Sequence, residues 1–124
     1  MQYTEALATA IHQLKGKPRE DARDALAERL TRMTAATLRD RFTDEDRELR
    51  SAAALAAAMK EDKSFVLDLI TLFRDPDSRV RRAAVVGLKS LTGQDFGPDN
   101  SARPADYRAA AARWHAWWRK QQRP

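Results

Sequence analysis

The chain contains no cysteine. Disulfides and thiolate metal sites are therefore excluded, and cysteine usage is silent on the redox compartment. Only four glycines and five prolines are present, and they cluster between periodic segments, with Gly87 apart, which leaves long stretches free to be helical. Aromatic residues are scarce at 7%, whereas 23 of the 124 residues are alanine. A core of small side chains implies closely packed helices. No run approaches 18 uninterrupted apolar residues, so no membrane-spanning helix is expected. The start, Met1-Gln2-Tyr3-Thr4-Glu5, lacks a basic segment followed by an apolar one and does not read as a signal peptide. Cytoplasmic location is the default expectation.

Signatures of chemistry are also missing. His12 and His115 stand 103 positions apart, and neither has a partner at metal-ligand spacing. Asp44-Glu45-Asp46 lacks the glycine and distal glutamate of a calcium loop. Asp95-Phe96-Gly97 matches a kinase tripeptide, without the glycine-rich loop, catalytic loop or length that a kinase needs. There is no glycine-rich phosphate loop, and no Ser, His and Asp arrangement is suggested by spacing. No enzyme activity, cofactor or metal is expected.

What is present is a repeat. Asp75-Pro76-Asp77-Ser78-Arg79-Val80-Arg81-Arg82-Ala83-Ala84 is echoed by Asp44-Glu45-Asp46-Arg47-Glu48-Leu49-Arg50-Ser51-Ala52-Ala53 at an offset of 31 residues. A fixed period of this size marks a helical solenoid, in which each helix pair buries its apolar face against the next. Seven helices can be placed. The first, near 3–14, presents Leu7, Ala10, Ile11 and Leu14 on one face, and Gly16 with Pro18 separates it from the second, near 19–33. Thr34 is a plausible N-cap for a short third helix through Phe42. Asp44 or Asp46 starts the fourth, and Ser64 the fifth, with Val66, Leu69, Ile70 and Phe73 inward. The sixth begins after Asp75-Pro76-Asp77 and ends near Leu91. It contains Gly87, whose cost of about 1 kcal/mol against alanine implies a close helix crossing. After a loop over 92–103, Pro104 opens the seventh, with Tyr107, Ala111, Trp114 and Trp118 at helical spacing.

These residues resemble the HEAT and HEAT-like repeat family, best at 75–84, well at 44–59 and weakly at 19–33. The ending from Leu91 through Asp99, followed by Trp114 and Trp117-Trp118, resembles the C-terminal end of some bacterial HEAT-repeat proteins of undefined activity. The resemblance implies an all-α, armadillo-like α-solenoid, a right-handed stack of about three helical hairpins behind an N-terminal cap helix. Residues 1–124 form one domain in this reading: cap helix 1–16 and repeats 17–43, 44–74 and 75–120, the last carrying the long 92–103 loop. Within the family, one helix of each pair lies on the convex side and the other lines a concave groove. Carried over, Arg23, Arg50 and Arg81 are the repeated structural arginines, and Asp44 and Asp75 are their loop partners. If the third and fifth helices line the groove, their outward positions Thr37, Asp40, Arg41, Asp68, Thr71 and Leu72 are the candidate groove residues. Some HEAT-like proteins are DNA glycosylases, but no aspartate with aromatic neighbours is placed here for that chemistry.

Charge adds an alternative. The net charge is +5. Residues 1–62 hold 11 basic and 12 acidic groups, a balance of −1, whereas residues 63–124 hold 12 and 6, a balance of +6. Such an excess favours an anionic partner. Arg113, Trp117, Arg119 and Lys120 interleave basic and aromatic side chains, a composition suited to single-stranded nucleic acid. Tyr107, Trp114 and Trp118 read instead as a hydrophobic cap on the last repeat. The leading expectation is a non-catalytic protein-interaction or scaffold module with an unidentified protein partner. Nucleic-acid binding through the C-terminal half is the alternative.

Overall fold

The computed structural model describes residues 3–99 and 103–123, so part of the 92–103 loop lies outside the described residues. Among them are seven α-helices and no strand: α1 (Tyr3–Ile11), α2 (Gly16–Leu30), α3 (Ala35–Arg41), α4 (Arg47–Met59), α5 (Val66–Thr71), α6 (Ser78–Thr92) and α7 (Pro104–Gln121). Short 3-10 turns at Lys63–Phe65 and Leu72–Arg74 flank α5. No helix is long and apolar enough to cross a membrane.

Local chemistry sets the helix starts. Thr34 accepts the Thr37 N–H at the start of α3. Asp46 and Asp77 do the same for α4 and α6, accepting the N–H groups of Glu48 and Arg79 at 2.8 Å each. Each satisfies a donor that the first helical turn leaves open and places a negative charge at the positive end of the helix. Asp44 and Asp75 stand one step earlier and accept the N–H groups of Asp46 and Asp77. The fifth helical segment departs from expectation. Asp62, not Ser64, caps it, accepting the Ser64 N–H at 2.9 Å.

The core runs through α4. Its alanines 52, 53, 54, 56 and 57 are all buried, and α2 and α6 pack on either side of it. Small side chains permit close approach, and Gly87 takes this furthest. A Cβ there would lie 3.1 Å from the Ala54 carbonyl oxygen and 3.4 Å from Leu69 Cδ1. Gly93 ends α6 in the left-handed conformation, at φ 72°, where glycine carries no Cβ penalty.

A second row is joined by aromatic edges. Phe42 after α3 meets Phe65 at 5.9 Å, and Phe73 after α5 meets Tyr107 of α7 at 5.4 Å, both T-shaped. This is a favoured geometry for the aromatic quadrupole. α7 packs on α5 and on the 72–74 turn. That docking buries Leu72, which the sequence placed on an open groove face. The assumed groove had no helix over it there, whereas α7 covers it.

Trp114 is fully buried on α7. Phe96 reaches back from the loop to meet it edge-on at 4.9 Å. Two hydrogen bonds hold the loop to the helix: Trp114 Nε1–H to Gly97 O at 2.9 Å, and Arg113 Nε–H to Phe96 O at 3.0 Å. Trp118 is only half-buried, because it lies one turn beyond the last surface that the loop and α5 cover.

Candidate functional site

α2, α4 and α6 lie side by side, and an open trough of about 530 Å³ runs between them. Its floor comes from α4 and the adjoining stripe of α6, where Ala52 and Ala83 are buried, Leu55 is half-buried and Val86 is exposed. Ala52 and Leu55 are three apart on α4, Ala83 and Val86 three apart on α6, and all four line the trough. Val86 is 56% exposed, which is unusual for a β-branched aliphatic residue in a helix with seven buried positions. The two walls carry opposite charge. Glu20 and Asp24 stand on α2, and Arg79 and Arg82 on α6. None of these four side chains makes a hydrogen bond or ion pair to a described residue.

One pair joins the α2 wall to α4. Arg23 Nε and Nη2 donate to the two carboxylate oxygens of Glu48 at 2.9 and 3.0 Å. Glu48 is 3% exposed, and the fork geometry satisfies both its oxygens. The Glu48 hydrogen bond raises the Arg23 pKa above its ordinary value, against the effect of burial. Arg79 is shifted the other way, first by burial and then by the nearby charge of Arg23. The α6 wall thus holds cations close to another guanidinium without a carboxylate bonded to them. Such groups favour an incoming anion.

The repeated arginines are used differently. Arg50 donates to both oxygens of Asp75, 25 residues on, and its Nη1 bonds the Asp44 carbonyl at 2.8 Å. Arg81 bonds the Asp75 carbonyl in the same way at 2.7 Å. Its Nε, however, is buried without a hydrogen-bond partner, and its guanidinium lies 5.2 Å over the Tyr107 ring. Arg23 departs from the pattern that the resemblance implied. Its partner is Glu48 on a helix, whereas Asp44 pairs with Arg41 at 3.2 Å. Arg41 also pairs with Glu5 of α1, at 2.9 Å.

The six groove residues do not form one surface. Thr37, Asp40 and Thr71 are exposed, and Thr71 is turned onto the Leu67 carbonyl. Asp68 is paired with Arg39 at 3.0 Å, Arg41 is drawn to α1, and Leu72 is in the core. Of the basic and aromatic set, Arg119 and Lys120 are exposed at the end of α7. Arg113 is tied to the loop. Trp117 lies within 6.3 Å of three rings, those of Phe96, Trp114 and Trp118. It is half-buried among them. Among the described residues no group of His, Asp or Glu side chains is arranged to hold a metal ion.

The trough was not legible beforehand. Its lining comes from three helices, and no single segment carries a signal for it. The one hint was Val86, an aliphatic residue outside the inward stripe of the sixth helix.

Comparison with known proteins agrees with the architecture. A family model described as HEAT repeats matches residues 35–114, from α3 into α7. The weaker likeness at 19–33 falls outside that span. A search of curated proteins and a search of solved structures each found no match. HEAT repeats generally mediate protein–protein interaction or scaffolding and are typically non-catalytic. The matched residues make up more than half of the 124, and the chain belongs to the HEAT repeat family.

Proposed function

We propose that the chain is a non-catalytic protein-interaction module that meets its partner on the α2–α4–α6 face. The observation that carries this reading is the trough: an apolar floor with Val86 exposed, between two walls whose four charged side chains make no hydrogen bond or ion pair to a described residue. An apolar centre rimmed by unpaired charge is the anatomy of a binding surface. The division into a cap helix and three repeats fits the same reading, since terminal units of a solenoid differ from internal ones.

The test is reconstitution. A partner captured by the chain is purified and titrated into it by calorimetry. A one-to-one complex that Val86→Arg weakens at least tenfold supports the proposal. A purified partner that gives no heat, or a chain that turns over a substrate, overturns it.

Nucleic-acid binding is the second reading, and exposed Arg108, Arg119 and Lys120 on α7, with Arg123 just after it, favour it. Against it, the Trp117 ring is packed among Phe96, Trp114 and Trp118, and Arg113 is engaged with the loop. Nonspecific attraction of DNA to a basic helix needs no site at all.

A further inference from the structure

We infer that the trough receives a helix from the partner protein, and that this helix bears an aliphatic ridge with basic side chains along one edge and acidic side chains along the other. The inference rests on the interaction reading above and adds the chemistry of the partner.

Shape comes first. α2 and α6 pack on either side of α4, so the trough has α4 along its floor and one helix along each wall. The lining residues recur at helical spacing and reach the same depth in each helix, about two and a half turns from its start: Glu20, Arg23 and Asp24 on α2, Ser51, Ala52 and Leu55 on α4, Arg79, Arg82 and Val86 on α6. A trough between two helix ridges with alanines in its floor accepts a rod with an apolar stripe. Helix-in-groove recognition uses i, i+3, i+4 and i+7 anchors of that kind. Leu55 and Val86 are the aliphatic side chains available to such anchors.

Charge then narrows the occupant. Glu20 and Asp24 face any guest from one side and Arg79 and Arg82 from the other, while Arg23 and Glu48 cancel each other by their paired fork. A guest acidic on both edges meets the α2 carboxylates, and one basic on both edges meets the α6 guanidinium groups. Like charges set opposite each other are costly at an interface, so a guest of mixed edges is selected. Turning a helix end for end while keeping its apolar stripe downward exchanges its edges. The two walls therefore also set the direction in which the guest lies.

Three synthetic helices of equal length test this. All share one leucine stripe. One has glutamates on one edge and lysines on the other, the second has glutamates on both, and the third lysines on both. Calorimetry against the intact chain should rank the mixed helix first, by at least tenfold over either of the others. The Arg79→Glu/Arg82→Glu chain should instead prefer the all-lysine helix, and the Glu20→Lys/Asp24→Lys chain the all-glutamate helix. This exchange of preference is not produced by misfolding. A spin label at the N-terminus of the mixed helix should broaden amide signals at one end of the trough. The same label on its edge-swapped counterpart should broaden those at the other end.

Equal affinity for all three helices, or no exchange of preference in the charge-reversed chains, overturns the inference. A captured partner that binds the Arg79→Glu/Arg82→Glu chain undiminished also overturns it and leaves the interaction reading standing. No captured partner at all removes both.

Discussion

Arg50 and Asp75 lie 25 residues apart and are joined by two hydrogen bonds, Nε to Oδ2 at 2.8 Å and Nη2 to Oδ1 at 3.2 Å. The side chains are 15% and 6% exposed. This pair ties α4 to the turn that starts α6, and Arg50 also holds the carbonyl groups of Asp44 and Glu45. Removing one member leaves the other charge buried. Arg50→Met should therefore cost about 3–5 kcal/mol. Arg50→Lys should recover less than half of that, because a single ammonium cannot reproduce the fork. Urea unfolding followed by circular dichroism measures both, and a loss under about 1 kcal/mol for Arg50→Met contradicts a strongly coupled buried pair.

Gly87 is the point of closest approach between α4 and α6. Alanine there gains about 1 kcal/mol of helix propensity. Its Cβ must then sit 3.1 Å from a backbone oxygen in the middle of packed α4. Leu69 can move its side chain, but the Ala54 carbonyl cannot easily yield. Gly87→Ala is expected to be slightly destabilising, and Gly87→Val to cost about 1–3 kcal/mol by overpacking. A more stable Gly87→Val chain contradicts the close crossing.

Trp114 and Trp118 should separate in their effects. Trp114→Ala removes a fully buried ring with its own hydrogen bond to Gly97 and should cost about 3–5 kcal/mol. Trp118, half-buried, should cost less than half as much when changed to alanine. Equal losses in thermal melts contradict the packing of the last repeat.

Acid sensitivity has a defined sign. Hydrogen bonds from Ser64, first from its side chain and then from its backbone N–H, hold the Asp62 carboxyl below its ordinary value. The Arg103 backbone N–H does the same for Asp106. A lowered folded value means that the stabilisation is present above the unfolded value, near pH 4, and is lost as pH falls through the folded one. The intact chain should lose urea stability below about pH 4 more steeply than Asp62→Asn/Asp106→Asn. Equal slopes contradict the assignment.

DNA association, where it occurs, should be diffuse. A mobility shift at low salt should vanish near physiological salt and be the same for Trp117→Ala, whose ring is packed among three others. A tenfold loss on that substitution would put a stacking platform back in place.

The all-α repeat architecture was legible because helix-capping aspartates leave a positional record. Asp46 and Asp77 occupy equal places 31 residues apart, and each accepts the N–H two residues on. Alanine density foretold close crossing, and Gly87 marked its site. Two kinds of feature were out of reach. Glu48 as the partner of Arg23 depends on how α4 is turned about its axis, which the helical period alone leaves open. Phe96 packs from a loop, where no period exists to betray an inward residue. The trough combines both difficulties, since it is made by the relative placement of α2, α4 and α6. Leu72 failed for a related reason: a stripe edge counts as exposed only until another helix is laid across it.

Trp114, Trp117 and Trp118 all belong to α7, at one end of the stack. Intrinsic tryptophan emission is therefore a reporter with an address. It follows the loop and the last helix and is blind to α1 through α4. In a linear array whose units touch only their neighbours, an end can open before the middle. Comparing the emission midpoint with the ellipticity midpoint measures, without any label, how far the terminal repeat unfolds on its own.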